Sequence, residues 1–140
     1  MRQQPRSRVN AAADVLTLTV ERLAWRGRGV ARPVGAPVVL VAPGVLPGES
    51  IRARVTARKK DYWEAQAEAI LEPSPMRIPH PCPHAGDCGG SPFGAVDPAA
   101  AVALKADLLR HIIRRTLGQT AEGALCQLAV IPSPSPWGYR

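Results

Sequence analysis

Between residues 15 and 71 apolar and polar positions alternate with a period of two, in short runs separated by glycine and proline. Leu16, Leu18 and Val20 alternate with Thr17, Thr19 and Glu21, which predicts a half-buried first strand over residues 15–23. Residues 25–32, W-R-G-R-G-V-A-R, place two glycines beside three arginines and predict a turn leading into a second strand. A further turn at 33–36 precedes Val38-Val39-Leu40-Val41, β-branched enough for a buried third strand, and Pro43-Gly44 and Pro47-Gly48 punctuate its exit. In the fourth strand Ile51, Ala53, Val55 and Ala57 form one face and Arg52, Arg54, Thr56 and Arg58 the other, so one side packs and the other meets solvent or phosphate. After the turn Arg58-Lys59-Lys60-Asp61, Trp63, Ala65, Ala67 and Ala69 alternate with Tyr62, Glu64, Gln66 and Glu68. Alanine favours helix here, but the preceding strand and the short turn favour a hairpin. Five such strands predict a mainly β fold, a small antiparallel barrel of the OB type rather than a two-sheet sandwich.

The period then changes. Asp97 can accept hydrogen bonds from the first free N–H groups of a helix, Pro98 suits its first position and Gly118 its end. Within it Val102, Leu104, Leu108, Leu109, Ile112, Ile113 and Leu117 share one broad side, opposite Asp107, Arg110, His111 and Arg114. Lys105 falls inside the apolar side, placed to snorkel or to face a partner surface. A brief apolar stretch, 125–131, leads to a proline-rich end. His111 reads as a surface residue and Cys126 as a small buried hydrophobe.

Charge narrows the class of partner. The net charge of +7 and pI of about 10.2 point to a polyanion, and residues 1–72 carry most of the excess, 12 Lys and Arg against 7 Asp and Glu. No apolar run reaches membrane-spanning length, the basic start shows no secretory pattern, and three cysteines suit a reducing, cytoplasmic setting better than a disulfide framework. Aromatic Trp25 and Tyr62 lie among the arginines and lysines, as in proteins that hold phosphates with cations and bases with rings. The candidate RNA contacts are Trp25, Arg26, Arg28, Arg32, Arg52, Arg54, Arg58, Lys59, Lys60 and Tyr62. Trp63 has the phase of a core residue.

The sharpest chemical motif joins the two halves: I-P-H-P-C-P-H-A-G-D-C-G-G-S at 78–91. Cys82 and Cys88 are candidate metal ligands, but two thiolates do not complete a tetrahedral zinc site or an iron-sulfur cluster. Ser91 stands where a C-x5-C-G-G-C pattern has its third cysteine. The alternatives are a vestigial loop, or zinc held with help from His80 or His84.

The order of these pieces resembles the N-terminal part of the TRAM-containing RNA (uracil-5-)-methyltransferases that act on 23S ribosomal RNA. The resemblance rests on V-E-R-L-A-W-R-G-R-G-V-A-R at 20–32, V-A-P-G-V-L-P-G-E at 41–49, K-K-D-Y at 59–62 and L-E-P-S-P-M-R at 71–77. P-C-P-H-A-G-D-C-G-G at 81–90, Lys105, and S-P-S-P-W-G-Y-R at 133–140 complete it. It implies a five-stranded, OB-like TRAM barrel that holds RNA, a four-cysteine [4Fe-4S] cluster beside it, and a separate S-adenosylmethionine-dependent catalytic domain. Ser91, and the lack of Gln-His after it, depart from that pattern. The expected organisation is a basic tail at 1–13, the barrel at 14–74, the cysteine loop at 75–96, the helix at 97–118, and at 119–140 the start of a catalytic region absent from the chain. No glycine-rich cofactor loop or activated nucleophile is visible, so the chain alone is expected to bind RNA, 23S rRNA first of all, without methylating it, a separate catalytic chain being a possible partner. A self-sufficient RNA-binding module and a metal or redox sensor built on the cysteines are the competing readings.

Overall fold

The computed structural model describes residues 15–85, 88 and 90–138. The basic tail expected at 1–13 lies outside these residues. The chain forms two compact units that divide between Arg77 and Ile78.

The first unit is a single six-stranded sheet. Its strands are β1 (Val15–Thr19), β2 (Arg22–Ala24), β3 (Arg28–Ala31), β4 (Val38–Val41), β5 (Ser50–Arg58) and β6 (Tyr62–Glu72), in the order β1-β5-β6-β4-β3-β2. The two edge strands are successive pieces of one run of chain. Between them, the Val20 N–H donates to the Glu49 carbonyl (2.9 Å), the Gly48 N–H donates to the Val20 carbonyl (2.8 Å), and the Glu21 N–H donates to the Val30 carbonyl (2.8 Å). Residues 20 and 21 therefore hand the pairing over from β5 to β3, and the two edges of the curled sheet approach each other there, but among the described residues β1 and β2 do not pair, so the sheet is open where a closed barrel is expected. The single first strand of the sequence reading is thus two, split where it changes neighbours, which makes six strands in place of five. A second correction is that β4 and β6 pair in parallel, Val38 with Tyr62 through Val41 with Ala65, so the sheet is mixed rather than wholly antiparallel. The other pairings are antiparallel, and the short turns require this of β2–β3, β3–β4 and β5–β6.

Alternation placed the core correctly. Leu18, Val20, Ala31, Val39, Val41, Val45, Ile51, Ala53 and Ala65 are buried together, with Leu16, Trp63 and Ala67 against them. Each fully buried Val or Ile contributes about 1.5–3 kcal/mol relative to exposure. Inward alanines suit the narrow interior of a small curled sheet, and bulges along the β5–β6 pair add the twist that curls it. Gly29 permits the tightest approach: a Cβ there would lie 2.5 Å from Val45 Cγ2 and 3.3 Å from Val20 Cγ1.

One carboxylate is sealed inside this unit. Glu49 is fully buried, and its Oε2 accepts from the Leu46 N–H (2.8 Å) and from Arg77 Nη2 (2.9 Å). Its Oε1 accepts from Arg77 Nε (2.5 Å) and the Ser74 N–H (3.3 Å), while Arg77 Nη2 also reaches the Gly44 carbonyl (2.7 Å). Burial pushes the Glu49 carboxyl up, but the hydrogen bonds from Arg77, Leu46 and Ser74 and the guanidinium charge outweigh it and hold it below its ordinary value.

In the second unit the loop before the helix closes through a bond from the Ile78 N–H to the Ala95 carbonyl (2.9 Å). Helix α1 (Pro98–Leu117) begins and ends as predicted: Asp97 Oδ2 accepts from the Ala100 N–H (3.1 Å), and Gly118 turns the chain at φ 57°. Its apolar side is only partly covered among the described residues. Ala101 and Ala106 are buried, whereas Leu109 and Leu117 stand exposed. Lys105 lies over the Phe93 ring, 5.3 Å from its centroid. A short second helix, α2 (Ala121–Cys126), follows. It leaves Cys126 exposed, which corrects the expectation of a buried thiol.

Because the folded-state pKa of Glu49 is depressed, its contribution to stability is complete above the ordinary value of 4.5 and is lost as pH falls through the folded value. Urea titrations of Arg77→Ala at neutral pH should show destabilisation by about 3 kcal/mol, the cost of stranding a buried charge. The stability difference between wild type and Glu49→Gln should shrink as pH drops below 4.5; a difference constant with pH would refute the role given to this pair.

Candidate nucleic-acid interface

The hairpin of β5 and β6 sets the outer face of the sheet. Because Ile51, Ala53 and Val55 point inward, Arg52 and Arg54 must point outward, beside β1. The same rule turns Glu64 and Glu68 of β6 outward, and the two phases meet. Glu68 lies 2.5 Å from Arg54 Nη2 and 3.8 Å from Arg52 Nε, so one carboxylate serves both arginines. Arg28 pairs with Glu64 at 3.3 Å, and Arg32 pairs with Glu21. These acidic partners escape a reading of the arginines alone, although the outward phase of Glu64 and Glu68 is visible in the sequence. Exposed ion pairs of this kind contribute about 0–1 kcal/mol, so an incoming phosphate can displace the carboxylates at modest cost.

The turn after β5 carries Arg58, Lys59, Lys60 and Tyr62. The Arg58 guanidinium lies over the Trp63 ring, 4.5 Å from its centroid, and the half-buried Trp63 packs on the core. Trp63 is a floor for Arg58, in keeping with its alternation phase. Lys59 and Lys60 are exposed, and the Lys59 N–H donates to the Tyr62 carbonyl (2.9 Å), which fixes the turn.

The register separates the ten candidates into three places. Ala31 pairs with Val39 and Val38 with Tyr62, so Arg32 and the turn at 58–62 lie toward the start of β4. Trp25, Arg26 and Arg28 lie beyond the Gly29–Val41 pair, toward its other end. Arg52 and Arg54 occupy the outer face of β5. Trp25 is 69% exposed at the tip of the β2–β3 hairpin.

The cysteine loop belongs to the second unit. His80 is its hub: Nδ1 accepts from the Cys82 N–H (3.0 Å), which leaves Nε2 to donate toward the Ser91 carbonyl (3.4 Å). The ring fills the space beside Gly94 so closely that a Cβ there would overlap it, and Trp137 meets it edge-on at 6.2 Å. Cys82 is half-buried and Cys88 exposed, both as free thiols, and the Gly90 N–H points at Cys88 Sγ (3.4 Å). Among the described residues no three His, Cys, Asp or Glu side chains gather as a metal site. His80 thus uses its ring nitrogens on backbone groups of the loop.

A basic, curled sheet followed by a cysteine loop and a long helix is the order of parts that the resemblance to RNA (uracil-5-)-methyltransferases implies. No protein-family model matches the chain. It is 36% identical over 126 residues to the 23S rRNA (uracil(1939)-C(5))-methyltransferase RlmD of Photorhabdus laumondii, covering 90% of this chain and 27% of that protein. To the RlmD proteins of Azoarcus sp. and Alkalilimnicola ehrlichii it is 36% and 33% identical, over 89% and 96% of its length and 27% and 29% of theirs. The chain is a homologue of the N-terminal part of these 23S rRNA (uracil-C5)-methyltransferases, and it spans about a quarter of their length.

The four-cysteine cluster implied by resemblance does not fit the residues present. The whole chain holds three cysteines, and Cys126 lies on α2, outside the loop. At the third position Ser91 offers a hydroxyl, and its carbonyl faces His80. Anaerobic incubation with ferrous iron and sulfide, followed by desalting, should leave the chain without the broad visible absorbance of an iron-sulfur cluster. Stoichiometric iron and that band would overturn this reading.

Proposed function

We propose that this chain binds ribosomal RNA through its curled sheet, a TRAM domain, as the RNA-holding part of a 23S rRNA uracil-5-methyltransferase. The observation that carries the proposal is the similarity, over about nine-tenths of the chain, to proteins named for that reaction on 23S rRNA. The chemistry of the surface agrees with it. Arginines on β3 and β5 and lysines on the β5–β6 turn are displayed by a rigid sheet, and phosphates release counterions as they bind such groups. The exposed carboxylate partners keep those arginines extended and are displaced when phosphate arrives. S-adenosylmethionine supplies the methyl group in this class of reaction, and the residues that bind it and attack uracil are assigned to a region or partner chain outside these 140 residues. The chain's part is to bind and orient. No helix of the described residues is long and apolar enough to cross a membrane, and a substrate in ribosomal RNA puts the proposed activity in the cytoplasm.

Fluorescence anisotropy with a labelled 23S rRNA fragment tests this. The triple variant Arg52→Ala, Arg54→Ala, Arg58→Ala should bind more weakly and lower the salt slope by about 0.7–0.9 for each phosphate no longer neutralised. Glu68→Gln, which removes the negative charge that Arg52 and Arg54 share, should instead tighten binding at low salt. If neither variant moves affinity or slope, this face is not the RNA site.

A further inference from the structure

The tip of the β2–β3 hairpin combines two features that the fold does not require. Trp25 leaves 69% of its surface in water and makes no ring or cation contact among the described residues, whereas Trp63 packs on the core and under Arg58, and Trp137, 47% exposed, meets His80 edge-on. Next to it Arg26 is held at φ 64°, ψ 22°, and Gly27 follows at φ 73°. Two successive residues with positive φ are the signature of a tight hairpin turn, where glycine or asparagine is favoured first. An arginine there is strained, and its exposed side chain gains no packing in return. Arg28, Arg32, Arg52 and Arg54 all have carboxylate partners, whereas Arg26 has no ion pair among the described residues.

We infer that this tip is a clamp for one unpaired nucleotide: the Trp25 indole stacks on the base and Arg26 takes the adjoining phosphate. The inference rests on the RNA-binding reading above and deepens it by naming the form of RNA. A base inside a duplex has both faces covered by its neighbours, so a lone ring at a hairpin tip selects single strands. Charge favours this over a protein partner, since the ring is flanked by Arg22, Arg26 and Arg28 rather than by a continuous apolar patch. Strain held at an exposed cation is accounted for if the backbone serves to aim it at a ligand.

The test is anisotropy titration of the full chain with a labelled single-stranded RNA of about ten nucleotides, and with the same strand annealed to its complement. Trp25→Ala should weaken single-strand binding about tenfold, Trp25→Phe should restore most of the affinity, and duplex binding should change less than about twofold. Arg26→Gly should lower the single-strand salt slope by about 0.7 while leaving the thermal midpoint unchanged or higher, an outcome a merely structural arginine would not give. Single-strand binding by Trp25→Ala within about twofold of wild type, or an equal weakening on duplex, refutes the clamp while the RNA-binding reading stands. Wild-type protein that binds neither RNA at low salt overturns both.

Discussion

One end of the curled sheet is tied together by a carboxylate that has no contact with water. Glu49 sits at the junction where β5 begins, and its backbone carbonyl is the acceptor for Val20, the residue at which the first segment of chain changes partners. Its side chain binds Ser74 and Arg77, just past the end of β6. The open end of the β5–β6 hairpin, the loop at 44–49 and the segment that leaves the first unit are therefore tied at one point. A buried ion is costly unless every lone pair is engaged. Four donors meet the two oxygens of Glu49, and Arg77 directs its remaining capacity to the Gly44 carbonyl. The pair thus joins three segments of chain at the margin of a small core of valines and alanines.

The outer surface follows from the same sheet. Alternation turns Arg52 and Arg54 of β5 and Glu64 and Glu68 of β6 outward, so arginine on one strand meets glutamate on its neighbour. Cross-strand pairing then neutralises part of a charge that the bare sequence counts in full. The net charge of +7 accordingly overstates the attraction of the β5 face and understates that of the turns, where Arg26 and exposed Lys59 and Lys60 stand. Local geometry, more than total charge, selects where a phosphate chain would first be held.

What could be read from the sequence was whatever local periodicity or local chemistry dictates. The inward set from Leu16 to Ala67 followed from a period of two, and the limits of α1 from Asp97, Pro98 and Gly118. What escaped depends on long-range pairing. Nothing in residues 15–23 marks Val20 and Glu21 as the point of a change of neighbours, because both halves keep the same alternation. The parallel pairing of β4 with β6 follows from the strand between them in the chain, and no residue of either encodes it. Glu49 looked like one more polar residue after a Pro-Gly turn; only its distance from Arg77, twenty-eight positions on, shows it to be internal. The six residues of α2 contain Gly123 and no clear apolar stripe, which left the exposure of Cys126 invisible.

Among the described residues of the cysteine loop the most engaged side chain is a histidine. Resemblance to the methyltransferases brings Cys82 and Cys88 into view, yet the contacts that shape the loop here are made by an imidazole. His80 receives the Cys82 N–H on one nitrogen and addresses the Ser91 carbonyl with the other, bridging the second half of the motif to its first. Gly94 must lack a side chain for the ring to lie where it does, and Trp137 covers the ring's edge. Thiols stand at two positions of the motif and a hydroxyl at the third, a donor set short of the four thiolates that a cluster takes.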